Sequence, residues 1–352
     1  MTVSNNLCKA HRLEWVDNIK ALACTLVVLG HFLISLDECA VFPFNPFTLW
    51  FRDTIYLFHV PLFFLCSGFL YAYSVKSKGR EKYPKFVLKK FLALGIPYFT
   101  FSIIKLAMKL VAGDFVNNAE DGFIETLFLH PTSPYWYLYA LFFMFLIIPS
   151  VKSKKQFSVV FAVSLALRIA VVFGILSKVT LPDAVCWIMR FSIWFVLGMG
   201  ISVFDCKAKK AHTAFGAVGL TLFVILSIIR YSISLNDELS DFLMGAIAVS
   251  SIFALYFSSN VKAGRLTNIL IKYNLPLFLM HSIFASGIRI VLMKLGFDQW
   301  YIHIPVGLLF TFAGPVLAGF IMEKSKYLEF FLYPLKFIKI TDNKRNNSEN
   351  KN

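Results

Sequence analysis

Charge is scarce in this chain. Only 16% of its 352 residues are Asp, Glu, Lys or Arg, against 58% hydrophobic, whereas a soluble domain carries about a quarter charged residues to keep its surface hydrated. The shortage excludes an ordinary globular enzyme and leaves an integral membrane protein. Cysteine is sparse as well. Cys8, Cys24, Cys39, Cys66, Cys186 and Cys206 show no CxxC spacing and fall mostly inside or beside apolar runs, so neither a disulfide framework nor a zinc site is indicated, and no metal is expected. Residues 1–17, with Lys9, Arg12, Glu14 and Asp17, hold no apolar core followed by a small-residue cleavage site. The first hydrophobic run is therefore expected to be a retained span rather than a removed leader. No internal repeat stands out.

Long apolar runs are abundant instead, with 39 phenylalanines among them. Spans need roughly 20 apolar residues, and that template predicts an all-α fold of about ten transmembrane helices. The expected spans are residues 18–36, 52–74, 88–111, 135–150, 157–176, 184–204, 212–231, 241–258, 268–290 and 302–322. The net charge of +15 does not point to nucleic acid, because the basic residues sit in short loops between apolar runs, as topology determinants do. Every even-numbered loop is basic: Lys76 to Lys90 after the second span, Lys152 to Lys155 after the fourth, Lys207 to Lys210 after the sixth, Lys262 and Arg265 after the eighth. The third and seventh loops are acidic, with Asp114, Glu120, Asp121 and Glu125 in one and Asp237, Glu238 and Asp241 in the other. An even number of spans with both termini cytoplasmic satisfies this alternation. The expected organisation is a cytoplasmic segment 1–17, a membrane domain 18–322 and a basic tail 323–352, disordered over its polar end TDNKRNNSENKN.

Within the first run, RLEWVDNIKALACTLVVLGHFL, the apolar stretch that opens at Ile19 is interrupted by His31. A helix turns ~100° and rises ~1.5 Å per residue, so Lys20 and His31 lie almost three whole turns and roughly 16 Å apart on one face. Asp17 and Cys24 fall within about 60° of the same stripe. Acid, amine, thiol and imidazole share it. The plainer alternative is that Asp17 and Lys20 mark the headgroup boundary and that His31 is a packing histidine, since Lys snorkels readily. Elsewhere His59, Arg168, Arg190 and His281 also fall in expected spans. An ionisable group in hydrocarbon costs about 2.5–3.5 kcal/mol on insertion scales unless it pairs or faces a wet cavity, so these residues imply a polar interior. For His59 packing beside Pro61 is the plainer reading, and for Arg168 a structural pairing.

The first stretch resembles the first helix of the membrane acyltransferase 3 family, whose hallmark is Arg or Lys, ten residues, then His; here these are Lys20 and His31, preceded by Asp17. The second run, YLFHVPLFFLCSGFLYAY, is similar to the FHMPLFF-x-x-SG signature of the fucose acetylase-like branch, with His59, Pro61, Ser67 and Gly68 in matching positions. KFVLKKFLALGIPYF resembles the basic segment that leads into the family's third helix, with Ala93 where a second arginine often stands. YWYLYALFFMFLIIP matches the family's aromatic run through Trp136, while RFSIWFVLGMGI and NLPLFLMHSIF match weaker elements that contribute Arg190 and His281.

The resemblance implies an O-acyltransferase of a bacterial plasma (inner) membrane. It would take acyl-CoA, usually acetyl-CoA, from the cytoplasm and acylate a hydroxyl of an envelope carbohydrate such as O-antigen or capsule. His31, Lys20 and Asp17 would be catalytic, with Lys20, Lys89 and Lys90 holding the donor phosphates. His59, Trp136, Arg190 and His281 would face the acceptor, Arg190 or His59 also serving the oxyanion. His31 as general base and His31 as transient acyl carrier both remain open. For Lys89 and Lys90 ordinary positive-inside charge is an equal alternative. Some relatives carry an extracellular esterase-like domain; here about thirty residues follow the last span, so the membrane body is expected to act alone or with a separate envelope-assembly partner. The competing reading is a non-enzymatic exporter or flippase of a polysaccharide or lipid-linked sugar, which explains the spans but not the Lys-to-His spacing.

The loop alternation makes a direct prediction. In a background lacking the native cysteines, cysteines at positions 121 and 237 label in intact cells with a membrane-impermeant maleimide, and cysteines at 82 and 154 do not. Labelling at 82 or 154 would overturn the topology.

Overall fold

The computed structural model describes residues 13–38, 41–43, 45–112, 122–175, 177–207, 209–258, 262–338 and 340. Among these every regular element is helical, which is how a chain satisfies its own backbone groups in hydrocarbon. The helices are α1 (Glu14–Glu38), α2 (Pro46–Tyr56), α3 (His59–Lys78), α4 (Tyr83–Lys90), α5 (Ile96–Ala112), α6 (Phe123–Phe128), α7 (Trp136–Ile147) and α8 (Lys154–Val172). They continue as α9 (Asp183–Val203), α10 (Lys210–Ser232), α11 (Glu238–Ser258), α12 (Arg265–Lys272), α13 (Asn274–Lys294), α14 (Trp300–Met322) and α15 (Lys326–Leu332). Nine helical stretches among the described residues are long and apolar enough to cross a membrane, and α7 is a shorter apolar tenth.

Three expected spans differ in form. The second is two helices, broken at Leu57 and Phe58. Pro61 has no N–H to give to the Leu57 carbonyl, so the ladder cannot run through this point. The freed carbonyl turns toward α11, where a Cβ on Gly245 would sit 2.8 Å from it. The ninth span likewise splits into α12 and α13, with Pro276 in the first turn of the latter. The fourth is α7, only 12 residues long, or about 18 Å; in the turn that leads into it Pro134 and Tyr135 are buried while Ser133 is exposed. Of the expected tail, α15 and a short 3-10 turn at Pro334–Lys336 fold back onto the body, with Leu332 buried. The TDNKRNNSENKN run, residues 1–12, and Asp114, Glu120 and Asp121 lie outside the described residues.

Two parallel pairs form the centre. In one, α3 and α9 each place a glycine against the carbonyl three residues before the other's glycine: a Cβ on Gly68 would lie 1.8 Å from Phe195 O, and one on Gly198 would lie 1.9 Å from Leu65 O. Backbones this close gain dispersion and Cα–H···O contacts that large side chains would forbid. In the other, α1 runs alongside α13 in matched steps. Asn274 Nδ2 donates to Lys20 O at 3.1 Å, the Cys24 thiol reaches Asn274 O at 3.6 Å, the rings of His31 and His281 lie 5.3 Å apart, and Arg289 Nη1 donates to Ser35 O at 2.7 Å. Cys24 and His31 of the polar stripe thus face α13.

The glycine contact predicts a sharp contrast. Gly198→Ala must push two backbones apart, an overpacking cost of about 1–3 kcal/mol or more, and lowers the melting temperature of the detergent-solubilised protein by several degrees. Gly287→Ala, where a Cβ meets nothing within 4 Å, leaves it unchanged or raised; equal melting of the two variants would contradict the packing.

Candidate active site

Three histidines gather at the acidic-loop end of the bundle. The break before α3 sets the first: His59, 2% exposed, donates Nδ1–H to Ile55 O at 2.7 Å across it. His281, fully buried, donates Nδ1–H to Leu277 O at 3.0 Å. A carbonyl only accepts, so both rings carry their proton on Nδ1 and, when neutral, present a lone pair at Nε2. Nε2 of His281 is buried without a hydrogen-bond partner. His31 joins them, its ring 5.3 Å from that of His281. Tyr56 stands edge-on to both His31, at 6.2 Å, and His59, at 4.7 Å.

The turn before α7 completes the cluster. Ser133 Oγ lies 3.5 Å from His31 Nε2, and Lys105 of α5 donates to the Ser133 carbonyl. Tyr135, fully buried, anchors the turn by donating to Leu279 O at 2.8 Å. Imidazoles, hydroxyls and one ammonium therefore share a site able to take up a proton and to stabilise negative charge developing on oxygen.

Beside this cluster a cavity of about 350 Å³ opens between α2, α8, α9, α10 and α11, lined by Tyr56, Pro61, Arg168, Arg190, Arg230, Glu238 and Asp241 among others. Arg168 and Arg190 both pair with Glu238, and Arg230 pairs with Asp241 at 2.5 Å.

At the opposite, basic-loop end lies a much larger cavity of about 990 Å³, lined by Lys78, Arg80, Lys82, Lys89, Lys90 and the single acid Glu81 at its mouth. Its volume is at the upper end of the ~300–1,000 Å³ usual for small-molecule sites. Lys89 pairs with Glu81, and Lys90 Nζ sits 3.5 Å from the centroid of the Phe145 ring. Nearby, the hydrogen bond and charge of Lys76 hold the exposed Asp205 carboxyl below its ordinary range. Ser67, one of its lining residues, lies eleven positions before Lys78 on α3, or ~16 Å along the axis. There Ser67 bonds Tyr137 Oη at 3.1 Å. Tyr137 in turn packs against Phe63, Phe64 and Phe278, at 5.4, 4.9 and 5.7 Å. This aromatic layer separates the cavity from His59, a further ~12 Å along α3.

The residues singled out from the sequence thus fall into three groups. His31, His59 and His281 meet. Arg190 lines the neighbouring cavity, and Trp136 stands one layer behind it, 5.1 Å from Trp187 and 5.5 Å from the cavity-lining Phe191. Lys89 and Lys90 line the basic cavity; Lys20 does not, although it is close enough to Cys24 and to Cys66, next to Ser67, for its charge to act on both. Asp17 is half-buried one turn below Lys20. Arg168 has the structural pairing expected of it, with Glu238. Sequence reasoning passed over Tyr56, Lys105 and Ser133. Lys105 carried a usable signal, being a charge inside an apolar run; Tyr56 and Ser133 gave none, because only the fold brings them to His31.

A family model described as an acyltransferase domain matches residues 13–320. No curated protein and no solved structure matches the chain.

Proposed function

The chain belongs to the acyltransferase 3 family and is a multi-pass membrane acyltransferase, and from that premise we propose that it moves an acyl group, acetyl being the family's usual cargo, from cytoplasmic acyl-CoA to a carbohydrate hydroxyl at the outer face of a bacterial plasma membrane. The observation that carries this reading is the pairing of a cationic 990 Å³ cavity at one end of the bundle with a histidine cluster at the other. Acyl-CoA has a matching shape, with several phosphate charges at one end and a thin arm ending in a thioester.

In this reading Lys78, Arg80, Lys82, Lys89 and Lys90 take the phosphates, since ammonium and guanidinium groups suit phosphate oxygens. Lys20, whose charge reaches Cys66, the neighbour of the cavity-lining Ser67, acts on the arm rather than on the nucleotide. The arm then passes the Ser67–Tyr137 contact, and the flanking rings part to let the thioester rise to His31. His31 Nε2 takes the proton of the acceptor hydroxyl as its oxygen attacks the thioester carbonyl. The tetrahedral oxyanion is held by donors at the cluster, among them the Lys105 ammonium that donates to the Ser133 carbonyl. Collapse expels CoA thiolate, and the proton on His31 returns to it or to solvent. If His31 instead carries the acyl group, the same nitrogen attacks first and the hydroxyl follows.

Replacing His31 separates chemistry from packing. His31→Gln keeps size and hydrogen bonding but has no basic nitrogen, so ester formation falls ~10²–10⁴-fold, the usual loss for a catalytic base. His31→Ala is equally inactive, and both variants retain acyl-CoA binding, because the phosphate site lies at the other end of the bundle. Substantial transfer by a stably inserted Gln variant would remove His31 from the chemistry.

A further inference from the structure

The smaller cavity has two walls of different character. On one, Glu238 is shared by two guanidinium groups, Arg168 and Arg190, so this triad carries one surplus positive charge. Arg168 is only 5% exposed, donates Nη2–H to Glu238 O at 3.1 Å, and leaves Nε and Nη1 without hydrogen-bond partners. Nη1 lies 3.2 Å from Glu238 Oε2, which is likewise without an aligned hydrogen bond, so a small rotation pairs these two and Nε is the donor left over. Buried donors left unmet are costly and rare in native proteins, and a bound anion answers the unmet Nε of Arg168. Arg190, about half exposed, adds reachable donors beside them.

On the other wall Asp53 and Tyr56, one turn apart on α2, line the cavity. Arg52 is divided between Asp53 at 3.0 Å and Asp37 at 2.6 Å, so acceptor capacity dominates on this side and suits ligand hydroxyls. Tyr56 is also the residue whose ring contacts both His31 and His59. A ligand with an anionic group on Arg168 and Arg190 therefore has its hydroxyls turned toward the histidine cluster.

We propose that this cavity is the acceptor subsite and that the acceptor is an acidic saccharide, its ring carboxylate held by Arg168 and Arg190 and its hydroxyls facing Asp53 and Tyr56. The proposal rests on the acyl-transfer reading for the direction in which the hydroxyl points. About 350 Å³ lies at the lower end of small-ligand sites and accommodates one sugar unit of a chain that continues outside.

The test uses the full-length protein in detergent and pairs of probes that differ only in charge. Methyl glucuronide and the methyl glycoside of N-acetylneuraminic acid are each compared with their own carboxyl methyl ester by saturation-transfer NMR, with glucose 6-phosphate and inorganic phosphate as further arms. At least one free acid binds ~tenfold or more tightly than its ester, as a charge-assisted bond to Arg implies, and more tightly than either phosphate. Arg190→Gln reduces that acid to the level of its ester, and Arg190→Lys restores part of the difference. Equal binding of acids and esters to the unmodified protein, or preference for a phosphate, overturns the proposal whatever the variants do. Acyl-CoA binding measured on the same preparations keeps the two ideas apart: its loss in unmodified protein rejects acyl transfer, whereas its retention with no acid preference rejects only the acidic acceptor.

Discussion

A polar group inside hydrocarbon has to find a partner or a wet cavity, and this requirement organises the structure. His59 and His281 meet it by giving Nδ1–H to the carbonyl one turn back, an arrangement that fixes the tautomer and leaves Nε2 as a free acceptor. For His59 the bond bridges the helix break forced by Pro61. The break is thus a positioning device, since it also frees Leu57 O to approach Gly245 of α11 and brings Tyr56 between His31 and His59. The close approach of α3 and α9 through Gly68 and Gly198 holds that geometry while leaving no room between the two backbones.

The two cavities differ in charge. The basic end gathers five cations and a single acid, and the acidic-loop end holds an Arg–Glu–Arg triad beside the histidine cluster. Between them stand Phe63, Phe64, Tyr137 and Phe278, with one hydrogen bond, Ser67 to Tyr137, at the junction. A layer without charge is a poor path for ions and protons, yet aromatic side chains can swing aside for a thin arm. In the proposed transfer, passage of the donor arm would require a local rearrangement of these rings.

Much of this was legible in the sequence because hydrocarbon imposes simple rules. Run length and loop charge gave the helices, and the cost of burying charge pointed to His31, His59, Arg168, Arg190 and His281. What stayed hidden depends on contacts between distant segments. The Lys20-to-His31 spacing put both on one face, but the large cavity is lined by residues of α3, α4, the loop between them, α7 and the segment after it, and Lys20 is not among them. Arg190 and His281 looked alike as intramembrane polar residues, yet one is drawn to Glu238 and the other to His31. The shortness of α7 was not foreseen, because LIIPS reads as a continued apolar run while the helix stops before Ile148.

If the acyl group enters at the basic end and leaves at the histidine end, donor and product are found on opposite faces of the membrane. Proteoliposomes sorted into one orientation by a cysteine label at position 154 are given acetyl-CoA, labelled in the acyl group, on the basic-loop face alone, and methyl glucuronide on the other. Free CoA thiol is expected on the donor face and the labelled acyl group on the opposite face, as ester or free acid. Both products on the donor face, or donor consumption only from the acidic-loop face, would contradict this direction of transfer.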